Sequence, residues 1–141
     1  METLSKTKIT VENTVNAPVE KVWEFWNGSK HITQWANASD DWHTTRSEND
    51  LRVGGKFLSR MEARDGSFGF DFWGAYDEVK TNQLIAYTLG DGRKVKIIFT
   101  VTGEGTKIAE TFEAEETNPI EMQRGGWQAI LDNFKKYTES N

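Results

Sequence analysis

The chain has 141 residues, 36% hydrophobic and 28% charged, which reads as one domain (1–141) able to bury a core, globular rather than disordered. Its 17 basic and 22 acidic residues give a formal net charge of −5 without a basic stripe, which argues against nucleic acid as a partner. No cysteine is present, so disulfide, thiol and zinc-thiolate chemistry drop out; the polar opening METLSKTK and the lack of a long apolar run read as a cytoplasmic protein with no membrane span.

From Lys8 to Val15 the apolar residues Ile9, Val11 and Val15 fall on odd positions, the pattern of a half-buried strand. Asn16-Ala17-Pro18 breaks it. Pro18 suits a first helical turn, Glu20 favours the positive end of the helix dipole, and Val19, Val22, Trp23 and Trp26 follow at helical spacing. This predicts a helix over 18–26. Asn27-Gly28 stops it, and Ser29 is placed to cap a second short helix with Ile32 and Trp35 on one face. Trp42 to Arg46 reads as a strand and Glu48-Asn49-Asp50 as a turn.

A meander follows. Lys56 to Arg64 sets Phe57, Met61 and Ala63 against Lys56, Arg60, Glu62 and Arg64; the charged set is the solvated side. Asp65-Gly66 and Asp91-Gly92 are hairpin signals. Between them Phe68 to Val79 alternates Phe68, Phe70 and Phe72, and Leu84 to Leu89 carries Ile85, Tyr87 and Leu89. Val95, Ile97, Phe99 and Val101 alternate cleanly, Gly103 to Gly105 turns the chain, and Ile108 to Ala114 closes the sheet. The period then changes. Asn118-Pro119 with Glu121 reads as cap, first-turn proline and third-position carboxylate. Ile120, Gln123, Trp127, Ile130, Leu131 and Phe134 share one face of a long helix ending near Tyr137. Gly125-Gly126 inside it is either a tolerated irregularity or a place where the helix nears the sheet or a cavity mouth. The fold class is α+β: a curved antiparallel sheet of six or seven strands around a long C-terminal helix, with two short helices after the first strand.

Ala-Pro-x-x-x-Val-Trp at 17 to 23, Trp35, Gly-Gly-x-Phe at 54 to 57, and Gly-x-Tyr-x-Glu-Val at 74 to 79 resemble the START-like helix-grip (SRPBCC) superfamily. The ending Gly126-Trp127-Gln128-Ala129-Ile130-Leu131-Asp132-Asn133-Phe134 is similar to one branch of it. That branch resembles the C-terminal domain of the activator of the 90-kDa heat-shock chaperone's ATPase. The resemblance implies a helix-grip fold and a gap between helix and sheet. Members of the superfamily bind lipids, hormones and polyketides, and some are cyclases or hydrolases.

Trp23, Trp26, Trp35, Phe57, Phe70, Phe72, Tyr87, Phe99, Phe112 and Trp127, with Leu131, fall where sheet, short helices and long helix meet. They either fill the core or line an apolar pocket. Tyr76 lies in phase with Phe72 and brings a hydroxyl to the same face. Glu110, by period two, points the same way as Ile108 and Phe112. A carboxyl there takes a raised pKa, a cationic partner such as Arg93, or a polar ligand group. His43, in Asp40-Asp41-Trp42-His43, is a second acid/base candidate; His31 reads as surface. No nucleophile triad, phosphate loop or metal cluster can be assembled, so neither metal nor cofactor is expected. Three readings stay open: a module binding a small apolar or amphipathic molecule, a stress-response protein contacting a chaperone by resemblance, and a cyclase- or hydrolase-like enzyme.

Overall fold

Alternating apolar residues and tight glycine turns produce seven strands among the described residues. A computed structural model describes residues 7–141; residues 1–6, most of the polar opening read above, lie outside them. The strands are β1 (Lys8–Val15), β2 (Trp42–Asn49), β3 (Lys56–Ala63), β4 (Gly69–Lys80), β5 (Leu84–Leu89), β6 (Lys94–Thr102) and β7 (Gly105–Glu113). The helices are α1 (Val19–Asn27), α2 (Ser29–Trp35) and α3 (Ile120–Ser140). One antiparallel sheet runs in the order β1-β7-β6-β5-β4-β3-β2 and curls around α3, the helix-grip architecture. Gly66 and Gly92 take positive φ at the two predicted hairpin turns.

Two β-bulges bend the sheet and re-phase its strands. The register of β2 against β3 slips between Thr44 and Arg46, and that of β4 against β5 between Tyr76 and Glu78. Inward positions on β4 therefore pass from Phe72 and Tyr76 to Val79, and on β2 from Thr44 to Ser47 and Asn49. This corrects the reading of Glu48-Asn49-Asp50 as a turn: β2 continues to Asn49, which pairs with Phe57. The bulge had broken the alternation by which a strand is recognised.

The core lies on the concave side, where Ile9, Val11, Ile97, Ile108 and Phe112 meet Leu131 and Phe134 of α3. Helix α3 also lies along the free edge of β1. Gln128 Nε2 donates to the Glu12 carbonyl (3.2 Å), Lys135 Nζ to the Thr14 carbonyl (2.7 Å), and Asn13 Nδ2 to Asp132 Oδ1 (2.8 Å). The first two bonds occupy edge carbonyls that would otherwise pair with another chain. Asn133 Nδ2 reaches the Trp35 carbonyl at 2.9 Å, fixing α3 to the end of α2.

The helix starts differ from expectation. Gly28 and Pro119 occupy the cap positions of α2 and α3, and neither Ser29 nor Asn118 makes a side-chain cap. Asn118 instead donates its backbone N–H to Glu115 Oε1 (2.7 Å) and accepts from Gln123 Nε2 (2.8 Å). Helix α3 runs past Tyr137 to Ser140. A side chain at Gly125 or Gly126 would meet nothing within 4 Å, so neither glycine is required by a close approach. Among the described residues no helix is long and apolar enough to cross a membrane.

Candidate functional site

The curl of the sheet leaves a cavity of about 350 Å³ beneath the first half of α3. Phe57, Phe70 and Phe72 line its β3–β4 wall, and Tyr76 and Tyr87 its floor. Trp127 comes from α3, and Trp26 and Trp35 from the short helices. Contacts among these rings hold them in place: Phe57 meets Tyr87 edge-on at 4.7 Å between centroids, and Phe72 meets Trp127 at 6.2 Å. Stacking of Trp127 flat on Phe112 at 3.9 Å sets the angle of the indole.

Four of the residues expected at the pocket lie in the core behind it. Phe112 is buried beneath Trp127, Leu131 is fully buried, and Trp23 packs edge-on against Phe99 at 5.3 Å. None of the four is part of the cavity wall. They share the inward face of their elements with the lining residues, and periodicity does not separate the two groups.

The polar groups of the wall fall into two sets. Some are satisfied by the protein. The Tyr76 hydroxyl donates to Asn49 Oδ1 at 2.5 Å, and Asn49 Nδ2 donates to the Asn27 carbonyl at 2.8 Å. Gln123 knots the loop before α3, accepting from the Glu115 N–H (2.9 Å) and donating to the Glu115 (3.0 Å) and Asn118 (2.8 Å) carbonyls. Arg93 Nε donates to Asp91 Oδ2 at 2.8 Å, and no ion pair joins Arg93 to Glu110. The other set faces the cavity without a partner among the described residues: the Glu110 carboxyl and the hydroxyls of Tyr87, Ser59 and Ser47.

Glu110 stands between Val11 and Ile97 across the sheet, on the face of Ile108 and Phe112, and is 7% exposed. Burial alone pushes its pKa up to about 8, so the acid is mostly protonated at pH 7. Tyr87 is held well above the usual tyrosine value, first by burial and then by the Glu110 charge. Tyr76 is raised in the same direction by burial. Among the described residues no group of three or more His, Asp or Glu is placed to hold a metal ion.

His43 pairs in register with Glu62 on the outer face of the sheet, outside the cavity wall. It and Glu110 therefore do not face one another. His31 is not a surface residue: its side chain is 12% exposed, stacks on Phe25 at 4.0 Å and meets the Tyr137 hydroxyl through Nδ1 at 2.7 Å. Asn49, Ser59, Met61 and Gln123 line the cavity although nothing marked them beforehand as a site. Met61 and Gln123 sat on correctly assigned inward faces and carried that signal; Asn49 was hidden by the bulge in β2.

Residues 16–139 match the family described as Activator of Hsp90 ATPase homolog 1-like protein. The solution structure of an AHSA1-like protein from Aeromonas hydrophila is 44% identical, covers 95% of this chain and 93% of its own, and superposes with a TM-score of 0.90. Chr148 from Cytophaga hutchinsonii is 60% identical over 95% of this chain and 93% of its own, with a TM-score of 0.82. CV1439 from Chromobacterium violaceum shares the fold at 21% identity, with a TM-score of 0.86 over 96% of this chain and 99% of its own. No curated protein matches the chain significantly. With the family matched from the end of β1 to the last turn of α3, the chain belongs to the Activator of Hsp90 ATPase homolog 1-like proteins.

Proposed function

We propose that the protein binds a small apolar or amphipathic molecule in the cavity under α3. The observation that carries this reading is a space of about 350 Å³ walled mainly by aromatic rings. That volume falls in the range of small-molecule sites. Ring walls bury a flat or aliphatic body without conformational cost, since the rings are already fixed by one another. The fold supports the reading in general terms, because helix-grip proteins hold hydrophobic ligands between sheet and helix.

Native mass spectrometry of the protein purified from its own host tests this. An apolar molecule released on denaturation is the expected result. A ligand-free protein, with no thermal shift from a panel of lipids and polyketides, would overturn it. Trp127 supplies a second readout. Ligand entry should change tryptophan fluorescence in the wild type, and Trp127→Phe should remove most of that change.

A second reading, contact with a chaperone ATPase, rests on the family description and on one surface feature. Trp42, Phe68 and Phe70 form a ring cluster at the β3–β4 hairpin, with Phe68 63% exposed. Addition of the full chain to the chaperone should raise its ATPase rate if this reading holds, and Phe68→Ser should reduce the effect. An unchanged rate rejects it.

A further inference from the structure

We propose that Glu110 holds the ligand's polar end as an uncharged acid, donating its O–H to a carbonyl oxygen on an otherwise apolar molecule, with the Tyr87 hydroxyl as a second donor. The proposal rests on the cavity reading above and names the chemistry of the occupant.

Glu110 is the most buried carboxyl in the cavity wall, and no hydrogen bond or ion pair reaches it. Such a group costs stability in an empty site and is retained where something else completes it. Its surroundings decide what can do so. From β1 it faces Ile9 and Val11, from β6 Val95 and Ile97, and along β7 Ile108 and Phe112. The wall residues of α3 are Gln123, Trp127 and Ile130, none of which titrates. Tyr87 on β5 and Tyr76 on β4 are the other titratable groups of the floor, both held in their neutral forms by burial.

The charged wall residues each have a partner other than Glu110. Arg93 binds Asp91, Glu115 accepts from the Asn118 N–H, and Glu48 pairs with Arg46. A ligand carboxylate beside Glu110 would meet a carboxyl on which no cation acts. A ligand ammonium would require Glu110 to ionise among hydrocarbon side chains, and a buried ion pair rarely recovers that desolvation cost. A neutral acceptor avoids both penalties and satisfies the donors that the apo site leaves open. A protonated carboxylic acid beside a tyrosine hydroxyl in an apolar site is an established way to grip a carbonyl oxygen.

The test compares four probes with one hydrocarbon body: 2-acetylnaphthalene, 2-ethylnaphthalene, 2-naphthoate and 2-(aminomethyl)naphthalene. Affinities are measured by calorimetry on the full chain in mildly acidic buffer. The ketone should bind about tenfold more tightly than the hydrocarbon, as expected for hydrogen bonds that complete a buried polar group. Glu110→Leu should erase that advantage, so that ketone and hydrocarbon bind alike in the variant. Glu110→Gln keeps a donor but cannot ionise, so it should keep the ketone preference. In the wild type the preference should fall as pH rises through about 8, where Glu110 loses its proton, and in Glu110→Gln it should stay flat. Equal affinity for ketone and hydrocarbon would overturn the proposal and leave the cavity reading standing. Preference for the amine or the carboxylate would overturn it in favour of ion pairing. Binding of none of the four would overturn the cavity reading and this proposal with it.

Discussion

An acid kept neutral inside a protein leaves a mark on stability as well as on binding. The folded-state pKa of Glu110 lies above the unfolded value of 4.5, at about 8. Below pH 4.5 both states carry the proton and no cost is felt. As pH rises from there to about 8 the unfolded chain ionises and the folded one does not, so stability falls and then levels off. The loss is up to about 5 kcal/mol at 1.36 kcal/mol per pKa unit. Urea unfolding across this pH range should show Glu110→Gln overtaking the wild type, with the two converging at low pH. Parallel curves would mean that the carboxyl is hydrated or paired in solution. The inward aim of Glu110 was legible from period two alone. Its lack of a cation was not, because Arg93 is captured inside its own turn, where Asp91 accepts from both the Arg93 backbone N–H (3.1 Å) and its guanidinium.

At the scale of elements, hydrophobic period sufficed wherever a strand or helix stayed regular. Strand β5 follows it residue by residue; β6 follows it through Phe99 and departs at Val101, which is exposed, and α3 follows it from Gln123 to Phe134 but leaves Ile120 exposed. It failed at the bulges, since one extra residue moves every later side chain to the opposite face. That is why Asn49 was read into a turn and the anchor of the Tyr76 hydroxyl was missed. Capping chemistry failed for a different reason. Proline at the cap fixes an extended backbone without a side-chain acceptor, and tertiary bonds to Gln123 claim the loop that Asn118 would otherwise cap. Helix α3 offers a clean test of propensity against packing. Each of Gly125→Ala and Gly126→Ala adds a methyl group into open space and should raise stability by about 0.5–1 kcal/mol. A lower urea midpoint in either variant would mean that the helix needs its glycines.

Over the whole molecule, the site depends on β1 closing against β7 and carrying α3 with it. Gly105 opens β7 at φ +136, and a Cβ there would sit 2.1 Å from the Val15 carbonyl oxygen. Gly105→Ala should therefore cost at least about 2 kcal/mol in urea unfolding. Wild-type stability in that variant would mean that β1 is held mainly by α3. The sequence by itself determined the α+β class, the strand and helix order, the inward aim of Glu110 and the aromatic belt, because these depend on local period and on residue type. Only the tertiary structure decided which rings line the space and which fill the core, that His43 faces outward, and that Arg93 is engaged elsewhere. Those outcomes depend on sheet curvature and on the depth at which α3 settles, which arise from contacts between residues far apart in the chain.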